Sequence, residues 1–377
     1  MEPVPPAQLL PEARRGLLLG TRGWAAVAAS LGMIAVLVPV LNLLVPAGNP
    51  LHLGDWGIAL VAKIMCYAIC ALAMDLIWGY TGILSLGHGL YFALGGYAMG
   101  MYLMRQIGHD GNYRSDLPDF MVFLDWKALP WTWGGSASFV FQMFLVLAVP
   151  GGLAAVFGWF AFRSRIKGVY FSIITQALTY AGMLLFFRNE TGFGGNNGFT
   201  DFKRILGAPI AAPSTRMLLF VITGLTLVGF YLLARAVVNS KFGRVLQAIR
   251  DAETRVMFTG YDPLRYKLSI WVLSAVMCGI AGALYVPQVG IINPSEMSPA
   301  ASIEMAIWAA VGGRGTLVGP IVGAFFVNGA KSWFTQAFPE FWLYFLGALF
   351  IAVTLFLPRG IMGLADRLKN RDAGGRE

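Results

Sequence analysis

Long uncharged apolar stretches recur along the whole chain, and they restrict its fold more than any other feature of the sequence. A helix needs roughly 20 apolar residues to cross the ~30 Å hydrocarbon core of a bilayer. Of the 377 residues, 57% are hydrophobic and only 12% are charged, whereas soluble domains have about 25% charged residues. We therefore predict an all-α integral membrane protein with about ten transmembrane helices, in a single membrane domain covering residues 1–377. The candidate spans are residues 24–45, 58–78, 83–104, 139–162, 169–187, 217–233, 268–286, 303–311, 317–337 and 342–357.

The basic residues are distributed unevenly between alternate connections. If the chain begins in the cytoplasm, 19 of its 28 Lys and Arg fall on the cytoplasmic side and seven on the outer side. Cytoplasmic connections carry such an excess of positive charge, so both termini are predicted to be cytoplasmic. The predicted cytoplasmic segments are a tail at 1–23, a loop at 234–267 and a tail at 358–377.

Four charged residues lie inside the predicted spans. Lys63 and Lys331 are near outer ends, where long side chains reach water. Asp75 is one turn from the inner end of its helix, and Glu304 is at the outer start of the eighth span. Positions at the membrane interface cost little free energy, so an ordinary interfacial location is expected for all four.

Several function classes are excluded by what the sequence contains and lacks. The low charged fraction excludes a disordered chain and a nucleic-acid-binding domain, and three cysteines cannot form a disulfide scaffold. No Gly-Lys dipeptide occurs, so the chain has no phosphate-binding P-loop of its own. It also lacks H-E-x-x-H, C-x-x-C and G-x-S-x-G. No metal or cofactor is predicted. An integral-membrane enzyme or a stand-alone channel remains the alternative of a different class.

The stretch 241–267 predicts an amphipathic helix between two spans. Four apolar residues fall on one helical face: Val245, Ile249, Ala252 and Val256. Gly260 and Pro263 predict where this helix ends. The pattern alone suits a helix resting on the bilayer surface. Asp251 and Glu253 favour docking on a protein instead, since a helix made only for anionic lipid gains nothing from acidic residues.

The segment 78–104 is rich in glycine, which either allows close helix packing or marks a broken helix that lines a solute path. Gly96 and Gly100 have the G-x-x-x-G spacing. The segment also carries four polar residues that need partners in an apolar environment: Tyr80, Thr81, Ser85 and His88. For His88, an interhelical hydrogen bond is as consistent with the pattern as a path-lining position. A second glycine-rich stretch, 312–329, brings Arg314 to the end of a span.

Three segments resemble permease subunits of the branched-chain amino-acid family of ABC importers: AIRDAE in the loop, GYTGILSLGHGLYFALGGY, and GGRGTLVGPIVGAFFVNG. The resemblance implies that the loop at 234–267 couples the permease to a separate ATP-hydrolysing subunit. Carried over by position, the coupling residues are Gly243, Arg250, Asp251, Ala252, Glu253 and Gly260.

Within that family, the outer segments 115–133 and 191–207 resemble the urea-type permease, the second of two membrane subunits. This implies a path for urea or short-chain amides, with branched-chain amino acids as the alternative cargo. The residues predicted to line the path are Tyr80, Thr81, Ser85, His88 and Arg314. Urea is neutral and needs only hydrogen-bonding partners, whereas a zwitterion favours a positive group, and Arg314 keeps that alternative open.

The same resemblance implies partners and a location. The expected partners are a second homologous permease, two ATP-hydrolysing subunits, a periplasmic solute-binding protein and membrane lipid, with no nucleic acid. The chain is expected to be a multi-pass protein of a bacterial inner membrane and a transport subunit rather than an enzyme.

Overall fold

The structure is a computed structural model that describes residues 19–46 and 48–341, together with scattered positions between 344 and 363. Apolar stretches form helices because in lipid the backbone must satisfy its hydrogen bonds within the segment. The longer helices of the described part are α1 (Thr21–Leu43, with a π-helical turn at Met33–Leu37), α2 (Asp55–Thr81), α3 (His88–Arg105), α4 (Phe139–Arg163), α5 (Val169–Phe187), α6 (Pro213–Asn239), α7 (Lys241–Phe258), α8 (Pro263–Val289), α9 (Pro299–Gly312) and α10 (Val318–Ala337).

Six of these helices, α1, α2, α4, α5, α6 and α8, are long and apolar enough to cross a membrane. Each coincides closely with one predicted span: 24–45, 58–78, 139–162, 169–187, 217–233 and 268–286. The fold is thus that of a helical multi-pass membrane protein.

The other predicted spans differ more. The span at 83–104 begins with a non-helical segment, 82–87, before α3 starts at His88. The span at 303–311 lies inside α9, whose 14 residues measure about 21 Å, less than the bilayer core. The span at 317–337 matches α10.

The last predicted span, 342–357, lies largely outside the described residues, as do most of the tails predicted at 1–23 and 358–377. The number of about ten spans and the cytoplasmic location of both termini therefore stay predictions.

The centre of the fold is the contact between α3 and α8, where two backbones touch. A Cβ atom on Gly95 would lie 2.0 Å from the carbonyl oxygen of Gly279, and one on Gly282 would lie 1.8 Å from that of Phe92. Only glycine fits such contacts. Gly96 of the predicted G-x-x-x-G pair belongs to this contact, since a Cβ atom on it would lie 3.2 Å from the side chain of Val286 in α8. Gly100 faces the side chains of Phe199 and Ile292 instead.

The connections predicted to face outward fold onto one another. Strand β1 (Phe199–Thr200) pairs antiparallel with β4 (Ile291–Ile292), and β2 (Arg204–Ile205) pairs with β3 (Ala208–Pro209). The remaining short elements are the α-helical turn Asp119–Phe123 and the 3₁₀ turns Gly108–Asp110, Trp131–Trp133, Asn189–Thr191, Gly195–Asn197 and Pro294–Met297. Buried Trp133 donates from Nε1 to the carbonyl of Gly192 (3.1 Å), which joins the two outer segments that resemble the urea-type permease.

Candidate functional site

Helix α7 is the predicted amphipathic helix, and its ends follow local sequence signals. The Ser240 hydroxyl accepts a hydrogen bond from the N–H of Gly243 (3.3 Å) and caps its start. The helix ends before Gly260, which has a left-handed φ of 86°. Pro263 then opens α8, behind the Asp262 side chain that accepts from the N–H of Leu264 (3.1 Å).

The buried face of α7 differs from the predicted one. Ile249 and Val256 are buried as expected, but Val245 and Ala252 are only half-buried, and Leu246 is fully buried. The buried face is centred near Leu246 because that side packs against α2, α6 and α8, and periodicity alone does not show which side meets them. The helix is also kinked at Ala252 (φ −156°, ψ 73°).

Gly243, one of the predicted coupling residues, lies at the sharp corner between α6 and α7. A Cβ atom there would be 2.2 Å from the carbonyl oxygen of Val238. Its role in the described structure is to let α7 fold back against the end of α6.

Arg250 ties α7 to the end of α2. Its Nη1 donates to the carbonyl of Gly79 (2.9 Å), and its Nε donates to the Asp251 carboxylate (2.9 Å). The Gly79 carbonyl lies in the last turn of α2, where carbonyls lack helical partners and a cation is favoured. The Asp251 side chain is 65% exposed. Of these two predicted coupling residues, Asp251 is thus the one presented outward.

Glu253 points into the protein, two residues beyond Asp251. It is hydrogen-bonded to the ammonium groups of Lys267 (2.5 Å) and Lys167 (2.7 Å), and its side chain is 20% exposed. Burial alone would raise the pKa of Glu253, but the two lysines outweigh it and hold that pKa below its ordinary value. Glu253 therefore joins α7 to α8 and to the corner between α4 and α5. A cavity of about 300 Å³ beside it is also lined by Thr81.

The Glu253 cluster predicts an acid-dependent contribution to stability. Since the folded-state pKa is depressed, the stabilisation is complete above the ordinary carboxylate pKa and is lost as pH falls through the folded value. Wild type is expected to be more stable to heat than Glu253→Gln at pH 7, and the difference is expected to shrink below about pH 4. Thermal unfolding in detergent across pH measures this; a difference that does not depend on pH would contradict it.

The two glycine-rich motifs meet at the same end of α2. The Asp75 carboxylate accepts from the N–H of Gly315 (2.5 Å) and of Leu317 (3.1 Å). The Tyr80 hydroxyl donates to the carbonyl of Gly315 (2.9 Å). Leu317 has a positive φ of 62°, a strained conformation for a non-glycine residue, and Asp75 holds its amide in place.

Asp75 is wholly buried against the loop at 313–317, whereas the sequence predicted only an ordinary position near the membrane interface. Arg314 lies beside it, with its guanidinium 5.3 Å from the centroid of the Trp78 ring. The sequence shows that Asp75 is a carboxylate near the end of an apolar helix. It does not show the partners of Asp75, because they lie some 240 residues away along the chain.

Ser85 and His88 form a buried interhelical network with Ser274 of α8. His88 lies 3.1 Å from Ser85 Oγ through Nδ1 and 3.1 Å from Ser274 Oγ through Nε2. The Ser274 hydroxyl donates to the carbonyl of Trp271 (2.8 Å), so Nε2–H must be the donor toward Ser274 and Nδ1 the acceptor from Ser85. The Thr81 hydroxyl donates to the carbonyl of Ile77. Tyr80, Thr81 and Arg314 thus lie at the α7 end, and Ser85 and His88 lie in the interior.

The opposite end of α2 borders two neighbouring cavities. The larger, about 490 Å³, is here called the Lys63 cavity, and its polar lining includes Lys63, Tyr67, Gln288, Asn328 and Lys331. The smaller, about 320 Å³, shares Gln288 with it. The sequence predicted only that the side chains of Lys63 and Lys331 extend toward water. Among the described residues, no group of three His, Cys, Asp or Glu side chains is arranged to hold a metal ion.

Six membrane-length helices in the described residues define a helical multi-pass membrane protein. Residues 58–354 match the family described as branched-chain amino acid transport system / permease component, and the chain belongs to that family. The resemblance seen in the three sequence motifs is confirmed at this level.

The relatives are transport permeases. The high-affinity branched-chain amino acid permease protein LivM of Escherichia coli is 23% identical over 340 residues, which cover 83% of this chain and 72% of LivM. BraD of Pseudomonas aeruginosa, of the same description, is 22% identical over 79% of this chain and 91% of BraD. The ribose import permease protein RbsC of Bacillus subtilis is 29% identical over 37% of this chain and 42% of RbsC. No solved structure matches the chain.

Proposed function

We propose that this chain is the translocating permease subunit of an ATP-driven importer for branched-chain amino acids in a bacterial inner membrane. The family match over residues 58–354 carries the proposal, and relatives that span most of the chain are named as branched-chain amino acid permeases. Urea, which the outer segments suggested, has no support from these relatives and becomes the competing outcome of the test.

The proposed partners follow from the class of importer. A permease without a P-loop needs separate ATP-hydrolysing subunits, and α7, which exposes Asp251, is the surface proposed for one of them. A second homologous permease, a periplasmic solute-binding protein and surrounding lipid complete the proposed assembly. Arg250 would then transmit movement of α7 to α2 through the Gly79 carbonyl.

The test is reconstitution of the affinity-purified complex. Tagged protein purified in mild detergent is expected to bring down a second permease and two nucleotide-binding subunits. Proteoliposomes loaded with ATP are expected to take up labelled leucine when the solute-binding protein is supplied. Uptake of labelled urea without leucine would reject the proposed cargo, and purification without any nucleotide-binding subunit would reject the ABC assignment.

We further propose that Tyr80, Thr81, Ser85, His88 and Arg314 border the inner part of the path, closed in the conformation described. Support comes from the buried polar network at Ser85 and His88, because intramembrane polar groups commonly mark solute routes. An alternating-access permease keeps part of its path closed at any time.

His88→Ala is expected to lower leucine uptake per assembled complex about 10-fold, since it removes the buried hydrogen bonds of His88 with Ser85 and Ser274. Uptake is normalised to complex recovered by size-exclusion chromatography. Unchanged uptake per complex together with a lower unfolding temperature would assign His88 a purely structural role.

A further inference from the structure

The Lys63 cavity has an unusual charge arrangement. Both charged residues that line it are cationic, Lys63 and Lys331. The Glu304 carboxylate neutralises Lys331 through two contacts of 2.9 Å. Lys63 forms no ion pair within the described part of the chain: its Nζ lies 5.7 Å from the centroid of the Tyr67 ring, and Glu296 and Glu304 act on it only through space. An ammonium group within a membrane helix that lacks a contacting counter-ion points to a functional site.

Gln288, which lines the same cavity, carries a buried acceptor without a partner. Its Nε2 donates to Thr223 Oγ1 (2.8 Å) and to the carbonyl of Leu284 (2.6 Å), while its buried Oε1 has no hydrogen-bond partner. Two acceptors fix the orientation of the Gln288 amide. The Thr223 hydroxyl donates to the carbonyl of Leu219, so it can only accept from Gln288, and the carbonyl of Leu284 can only accept as well. A buried acceptor of this kind costs free energy unless a ligand satisfies it.

We propose that the Lys63 cavity binds the zwitterionic head of an α-amino acid cargo, with its carboxylate on Lys63 and its ammonium group on Oε1 of Gln288. The inference rests on the proposed function, since it takes the cargo to be a branched-chain amino acid. The apolar side chain of the cargo lies against Trp56, Leu60 and Val289, which line the same space. Urea has no carboxylate and leaves Lys63 without a counter-ion, so the site discriminates between the two cargoes.

The experiment uses the complete reconstituted importer. Lys63→Met is expected to lower leucine uptake per complex about 10-fold or more, because it removes a charge-assisted hydrogen bond. Lys63→Arg keeps the charge and is expected to retain most of the uptake. ATP hydrolysis stimulated by the solute-binding protein is expected to persist in both variants, because the site lies far from α7. The matched control is Lys203→Met, in the outer β2 region, whose lysine pairs with Asp201 (2.6 Å) and lines no part of this cavity.

Leucine uptake by Lys63→Met within about 2-fold of wild type, or equal loss in Lys63→Arg and Lys63→Met, would overturn the inference. If Lys63→Met does not assemble, Gln288→Leu is measured by the same criterion and decides the result. If the wild-type complex takes up leucine and the variants do so equally well, only the proposed Lys63 site is refuted. A wild-type complex that takes up urea and no leucine refutes the proposed cargo, and the zwitterion site falls with it.

Discussion

Gly282→Val is expected to abolish accumulation of folded protein. A Cβ atom at this position would lie 1.8 Å from the carbonyl oxygen of Phe92, so the obstacle is backbone and no side chain can move aside. Overpacking in a core costs typically about 1–3 kcal/mol, and separating α3 from α8 along a continuous interface costs more than that. The measurement is the amount of monodisperse protein recovered in mild detergent.

Gly152→Val is the matched control, since it makes the same substitution inside a membrane-length helix, α4. A Cβ atom on Gly152 meets nothing within 4 Å. This variant is expected to accumulate as wild type does. Equal recovery of both variants would show that α3 and α8 do not approach as closely as described.

Arg250→Ala is expected to lower leucine uptake strongly while the ATP-hydrolysing subunit stays bound. The substitution removes the hydrogen bond from α7 to the Gly79 carbonyl and leaves the exposed surface of α7 in place. Hydrogen bonds to charged groups contribute about 1.5–3 kcal/mol, so uptake per complex is expected to fall about 10-fold or more. Asp251→Lys is expected to reduce co-purification of the ATP-hydrolysing subunit, because reversing an exposed charge weakens docking.

The control for this pair is Arg204→Ala, which removes a half-exposed arginine in strand β2, away from α7. It is expected to change neither uptake nor co-purification by more than about 2-fold. Loss of the ATP-hydrolysing subunit in Arg250→Ala, with full retention in Asp251→Lys, would reverse the roles assigned to the two residues. The two substitutions are measured separately, because Arg250 and Asp251 contact each other and the effects of replacing both are not additive.

Three segments that are far apart in sequence converge at one end of α2. Asp75 and Tyr80 hold the loop at 313–317, and Arg250 holds the Gly79 carbonyl between them. The helix that bears the proposed docking surface is therefore connected directly to both glycine-rich motifs. A movement of α7 driven by ATP hydrolysis would therefore reach the membrane helices through a few direct contacts. Each of these contacts can be removed by one substitution.

Local signals made α7 predictable. Its start follows from the Ser240 cap, its end from Gly260, and burial of Ile249 and Val256 from apolar spacing. The kink at Ala252 was not predictable, because Ala is a strong helix former and nothing nearby in the sequence breaks a helix.

The sequence by itself determined the membrane class, the family and the placement of six membrane-length helices, because hydropathy over about 20 residues and end-capping residues act locally. Tertiary structure alone decided which side of each helix faces its neighbours. A helix that is apolar all round carries no stripe to show its inner face. The buried role of Asp75, the inward turn of Glu253 and the meeting of Lys63 with Gln288 arise only when distant helices pack together, since the partners of each group come from other parts of the chain.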